Sequence, residues 1–254
     1  VTAELLDLYV AAFVDRARRE RLAGQREVDT AGMYGLLGGH DGSQARLLVV
    51  DDRAYDALAA TVAGLRAGVA NVFPGAPRCA ELLAGDGWRR TVDTAMVRRD
   101  LEHLPDAPLD GELTIRLVRR LPGDPEDGVA LQDAVDLTLL ADPQDGATGV
   151  GLLAHLQSVS PALALYAAVD RAGTVRGTSG ASVYAREARV VFVNTHPDWR
   201  GRGIATALTA HALREARQAG AEQATLDATD LGRPVYTRLG FESVAPLARF
   251  SRFR

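Results

Sequence analysis

The stretch HPDWRGRGIATAL, His196 to Leu208, places two arginines and two glycines between a β-type run and a helix-type run. The first amides of a helix have no partner within it, and the aligned peptide dipoles add partial positive charge at the same end. Gly201 and Gly203 let an anion approach the main chain with no Cβ in the way, while Arg200 and Arg202 supply cations. A diphosphate is the natural guest of such a loop. The amides from Arg200 through Thr206, which include those of Ile204 and Ala205, are the groups that would hold it.

Other phosphate loops fit less well. A Walker A loop needs a lysine, and this chain has none, which also removes a lysine nucleophile for Schiff-base chemistry. A dinucleotide fingerprint needs a third small residue, but Thr206 stands in that place. The strand before the loop also follows a β-meander, whereas a dinucleotide fold begins β-α-β. A nicotinamide-dependent oxidoreductase therefore rests on Gly201-x-Gly203 alone.

The elements that must position this loop are read from periodicity. Residues 2–23 have helical spacing, and residues 24–43 are glycine-rich with no clear assignment. RLLVV (Arg46–Val50) and VANVF (Val69–Phe73) read as strands flanking a helix that begins DDRAYDAL, and RCAELLAGDG reads as a short helix. WRRTVDTAMVRRDL follows as one or two strands. The polar, proline-bearing segment 102–112 separates this part from the rest. Beyond it come LTIRLVR as a strand, helices at 126–140 and about 147–158, and three strands of a meander ending in RVVFVNT. A helix from about Gly201 to Gln218 turns Ile204, Leu208, Ala212 and Ala216 inward. The strand QATLDAT, the short helix GRPVYTRLG and one or two closing strands complete the chain. RCAELLAGDGWRRTV and RPVYTRLGFESV share an order of helix, glycine, aromatic residue and strand, which suggests a worn internal repeat.

Arg200, Gly203 and Ala205 match the signature Q/R-x-x-G-x-G/A, and VYTRLGF follows at the expected distance. With these motifs, residues 113–254 resemble the GCN5-related N-acetyltransferase (GNAT) family. The resemblance implies an α+β fold, a mixed and mostly antiparallel sheet flanked by helices. It implies acetyl-CoA as co-substrate, its pyrophosphate on the amides of Arg200–Thr206. Its pantetheine arm would pair with Val193, Asn194 and Thr195, and the Val193 amide would polarise the acetyl carbonyl. Tyr236 takes the position from which a family tyrosine protonates the departing thiolate. The glutamate that some members carry as base is replaced by Arg189, which leaves Glu187, Asp227 and His196 as weak substitutes.

On this reading residues 1–101 form a partial, degenerate GNAT-like α/β domain, 102–112 a linker, and 113–254 the acetyltransferase domain. The first part lacks the glycine signature after RLLVV and has Leu83 where the second has Tyr236, so no acyl-CoA site is expected there. The expected reaction is N-acetylation of a small primary amine in a ternary complex. The alternative is an acyl-CoA-binding sensor without turnover. A single cysteine, Cys79, excludes an internal disulfide and a cysteine-rich metal site, and no metal is expected. The net charge of −4 gives no field favouring nucleic acid, and no apolar run reaches the ~20 residues of a membrane span. A cytoplasmic monomer or homodimer is the expectation.

Overall fold

The computed structural model describes residues 3–21, 24–38, 44–119, 123–141 and 162–252. The expected helix at about 147–158 and residues 39–43 of the glycine-rich segment lie outside them. The chain divides into two compact units: Val1–Val97 with Asp227–Arg233 and Glu242–Arg254, and Arg98–Leu226 with Pro234–Phe241.

In the first unit, α1 (Ala3–Arg19) buries Leu5, Tyr9, Phe13 and Ala17, a spacing that keeps one stripe on the core. The glycine-rich region forms a hairpin of β1 (Arg26–Thr30) and β2 (Met33–Leu37). β3 (Gln44–Asp51) runs parallel to β4 (Ala67–Gly75) through a 3-10 turn (Asp52–Ala54) and α2 (Tyr55–Val62). α3 (Pro77–Gly85) then leads to a single strand β5 (Arg89–Arg98). Alternation along these strands feeds two cores: Leu47, Val49, Val72 and Phe250 pack beneath α2 and α3, and Leu48, Phe73 and Val97 pack against Tyr9 and Phe13.

The division differs from a boundary at the 102–112 linker. β12 (Glu242–Arg252), one strand with a bulge between Ser243 and Ala245, lies between β4 and β5 and is antiparallel to both. The end of the chain thus completes the sheet of the first unit. Strand pairing is non-local, so a run's alternation fixes which face it buries but not which open edge it joins.

The second unit holds β6 (Leu113–Arg119), β7 (Val129–Ala130), α4 (Leu131–Ala141), β8 (Leu163–Asp170), β9 (Val175–Tyr184), β10 (Glu187–Thr195), α5 (Ile204–Gln218), β11 (Gln223–Ala228) and α6 (Arg233–Arg238) at its margins. The sheet order is β11-β10-β9-β8-β6-β7. The helix expected from residue 126 starts at Leu131, because Val129 and Ala130 pair with Val118 and Arg119. Leu165, Ala167 and Val169 of β8 pack with α4, while Tyr166 and Ala168 pack with Ile204 and Leu208 of α5. Alternate residues of one strand therefore serve opposite faces, α4 on one and α5 on the other. All four residues of the expected stripe, Ile204, Leu208, Ala212 and Ala216, are buried. This mixed, mostly antiparallel sheet with helices on both faces is the expected α+β architecture.

Candidate functional site

Two features of β10 open a slot beside it. The parallel pairing with β11 runs only from Glu187↔Gln223 to Arg189↔Thr225. The antiparallel pairing with β9 continues to Thr195↔Gly177, but its register shifts between Val191 and Asn194. Phe192, inside that bulge, has φ 54°. A bulge bends its strand and raises the local twist, so β10 leaves β11 while keeping β9. Val193, Asn194 and Thr195 lie on the part of β10 that has lost β11.

The loop that follows ends in the bare head of a helix. His196 caps a 3-10 turn (Pro197–Trp199), its Nδ1 accepting from the Asp198 amide at 3.3 Å, which agrees with a turn role rather than a basic one. Gly201 and Gly203 have φ of 79° and 77°, in the left-handed region that favours glycine. The helix therefore begins at Ile204, three residues later than the sequence suggests. The first intrahelical bond is Ala207 N–H to the Gly203 carbonyl. Among the described residues no side chain caps the start of α5. Among the described residues, a Cβ added at Gly201 or Gly203 would meet nothing within 4 Å. Amides of Ile204, Ala205 and Thr206 in the first turn have the charge and vacancy to receive an anion.

The two arginines are partly engaged by the protein itself. Arg200 donates to the Ala141 carbonyl at 3.1 Å, tying the loop to the end of α4. Arg202 lies 3.8 Å from Asp110 and 3.9 Å from Glu112, and its guanidinium stacks 4.4 Å from the Trp199 ring centre. Arg176 packs on the same indole at 4.9 Å. Arg202 is thus a tethered cation, a feature hidden in the sequence because its partners stand about ninety residues away.

Tyr236 is 7% exposed and meets Phe241 edge-on, ring centres 6.0 Å apart. Burial pushes its phenol well above the ordinary tyrosine range, with Arg189 pulling weakly the other way. A phenol so placed stays protonated at neutral pH. Phe241 N–H bonds to the Tyr236 carbonyl, and Gly240, with φ 80°, ends the helix.

The other carboxylates considered as bases have structural engagements. Glu187 is 5% exposed and accepts the Thr225 hydroxyl. Asp227 accepts the Tyr9 hydroxyl. Arg189 reaches Thr225 Oγ1 at 3.5 Å. What the sequence did not reveal is a polar cluster behind the bulge, formed by Thr138, Thr178 and Asn194.

Comparison with known proteins follows the same lines. Residues 160–252 match the family model of the acetyltransferase (GNAT) domain. No curated protein matches the chain. Among solved structures, a GCN5-related N-acetyltransferase from Kribbella flavida is similar at 19% identity and TM-score 0.61, over 96% of this chain and 95% of that one. A GCN5-related N-acetyltransferase-like protein from Streptococcus suis is similar at 18% identity and TM-score 0.57, over 98% and 100%. A tandem GNAT protein from the clavulanic acid biosynthesis pathway is similar at 19% identity and TM-score 0.53, over 94% and 86%. At these identities the likeness is one of fold.

Proposed function

We propose, from the premise that residues 160–252 are a GNAT domain, that the protein transfers the acetyl group of acetyl-CoA to a small primary amine by direct attack in a ternary complex. The observation that carries this reading is the conjunction within one stretch of chain. A strand parts from its parallel neighbour after Arg189, and a helix with an uncapped head follows it. One offers an extended arm the edge of a strand, and the other offers a diphosphate unpaired amides.

In this reading the pyrophosphate lies on the amides from Arg200 to Thr206, including Gly201, Arg202, Gly203, Ile204 and Ala205. Pantetheine runs along Val193, Asn194 and Thr195. The Val193 amide donates to the thioester carbonyl oxygen, where negative charge grows as the amine nitrogen attacks. The carbon–nitrogen bond forms, the carbon–sulfur bond breaks, and the thiolate takes the proton of Tyr236. The ammonium proton leaves to water, and the phenol regains its own from solvent. Cys79 is fully buried in the first unit and its thiol is pushed up to about 12 by burial, which argues against a covalent acetyl-enzyme. Residues 1–101 are then a worn copy of the fold that binds no acyl-CoA.

A non-catalytic acyl-CoA sensor is favoured by one specific observation, the arginine at position 189 in place of a strand carboxylate. Calorimetric titration with acetyl-CoA and with NADPH tests the coenzyme: binding of the first and not the second is expected. Thiol release across a panel of amines separates the enzyme from the sensor. Binding without release for any amine favours the sensor; NADPH binding alone overturns both readings.

A further inference from the structure

The cluster behind the β10 bulge is a saturated hydrogen-bond chain. Asn194 Nδ2 donates to Thr138 Oγ1 at 3.1 Å and to Thr178 Oγ1 at 3.3 Å. Thr138 spends its own proton on the Ala134 carbonyl at 2.9 Å, one turn back in α4. Thr178 spends its proton on the Phe192 carbonyl at 2.8 Å. An amide group has two protons and each hydroxyl has one, so every donor in the chain has an acceptor. Thr178 is 1% exposed, so water does not compete for its bonds.

The consequence falls on the next peptide group. The Phe192–Val193 bond is trans. In a trans peptide the N–H points opposite to the C=O of the same unit. Thr178 on β9 draws the Phe192 carbonyl toward β9. The Val193 N–H is therefore turned away from the Thr178 hydroxyl, on the stretch of β10 where β11 pairing has ended. The φ of 54° at Phe192 is a costly conformation for an aromatic residue and needs surrounding contacts to hold it. The Thr178 bond is one such contact, and Thr138 anchors the chain to α4.

We propose that Thr178 is a positioning residue, its hydroxyl clamping the Phe192 carbonyl so that the Val193 amide is aimed at the thioester carbonyl. This rests on the acyl-CoA reading above. The test uses the full chain and acetyl-CoA labelled with carbon-13 at the thioester carbonyl, with no acceptor needed. In wild-type protein the infrared carbonyl band moves to lower frequency on binding, the signature of a hydrogen bond to that oxygen. Thr178→Val keeps the shape and removes the hydroxyl; it loses most of that shift while calorimetric affinity for coenzyme A stays as in wild type. Thr178→Ser restores the shift. A Thr178→Val protein with the full wild-type shift overturns the proposal, as does a Thr178→Ser protein that falls with it. If Thr178→Val does not fold, Thr138→Val cuts the far anchor and gives a smaller loss; no loss there is equally fatal. Wild-type protein that binds acetyl-CoA without a carbonyl shift defeats the clamp alone. Wild-type protein that binds no acetyl-CoA defeats the coenzyme reading as well.

Discussion

Among the described residues no side chain caps the first turn of α5, and in the first unit Asp51 caps the 3-10 turn that precedes α2, whose own start at Ala54 likewise has no side-chain cap. Asp51 accepts the Arg53 amide at 3.0 Å and pairs with the Arg53 guanidinium, which holds its carboxyl below the usual carboxylate range. Asp52 accepts the amides of Cys79 and Arg78 at the start of α3. The strands differ in the same sense. β3 stays paired with β4 from Gln44↔Ala67 to Asp51↔Gly75, whereas β10 keeps β11 for three residues. The helices that follow also correspond: Trp88 N–H bonds to the Leu83 carbonyl as Phe241 N–H does to that of Tyr236. Gly87 and Gly240 share a left-handed φ, 77° and 80°. Leu83 is fully buried where the other unit has a phenol. β3 thus stays paired along its length where β10 parts from β11, and acids lie between strand and helix in the first unit where glycines precede α5.

The sharpest way to break that comparison is at its two helix tyrosine and leucine positions. Tyr236→Phe should lower kcat by roughly 10²-fold or more, the scale of general acid catalysis, with coenzyme A affinity unchanged by calorimetry. Because burial raises the Tyr236 phenol, the alkaline limb of kcat in wild type should lie above the ordinary tyrosine value of about 10. Unchanged turnover in the phenylalanine variant removes the acid role. Leu83→Ala should instead cost about 2–5 kcal/mol in denaturant unfolding, with no effect on coenzyme affinity, as expected for a core side chain.

The helix heads give the next pair. Gly203→Asp puts a carboxylate where the diphosphate is to lie and a side chain at φ 77°, and coenzyme A affinity should fall at least about 100-fold. Full affinity there would separate the loop from the coenzyme. The smallest expected effect is at the 3-10 turn before α2: Asp51→Ala should destabilise by about 1 kcal/mol through loss of that turn's cap, measured by thermal unfolding, and leave coenzyme binding alone. Gain of a second coenzyme site in that variant would show that the acid alone distinguishes the units.

Much of the plan was legible along the chain because it is written in local periodicity and turn chemistry. The alternation in RVVFVNT, the stripe from Ile204 to Ala216 and the left-handed glycines at 201 and 203 each depend on a few neighbouring residues. The tethering of Arg202 by Asp110 and Glu112, the hold of Arg200 on Ala141, and the engagement of Asp227 by Tyr9 were not legible, since each joins residues distant in sequence.

By itself the sequence determined most of the strands and helices, though not the β1–β2 hairpin, and the stripe that α5 buries, and that this helix opens on glycines. Only the tertiary structure decided that β12 joins the first unit's sheet, that β10 parts from β11 after Arg189, and that Thr178 turns the Phe192 carbonyl. The physical reason is the reach of the forces involved. Helical capping and side-chain alternation act within a turn or two of chain, whereas strand partners and buried hydrogen-bond networks are chosen among segments brought together only by folding.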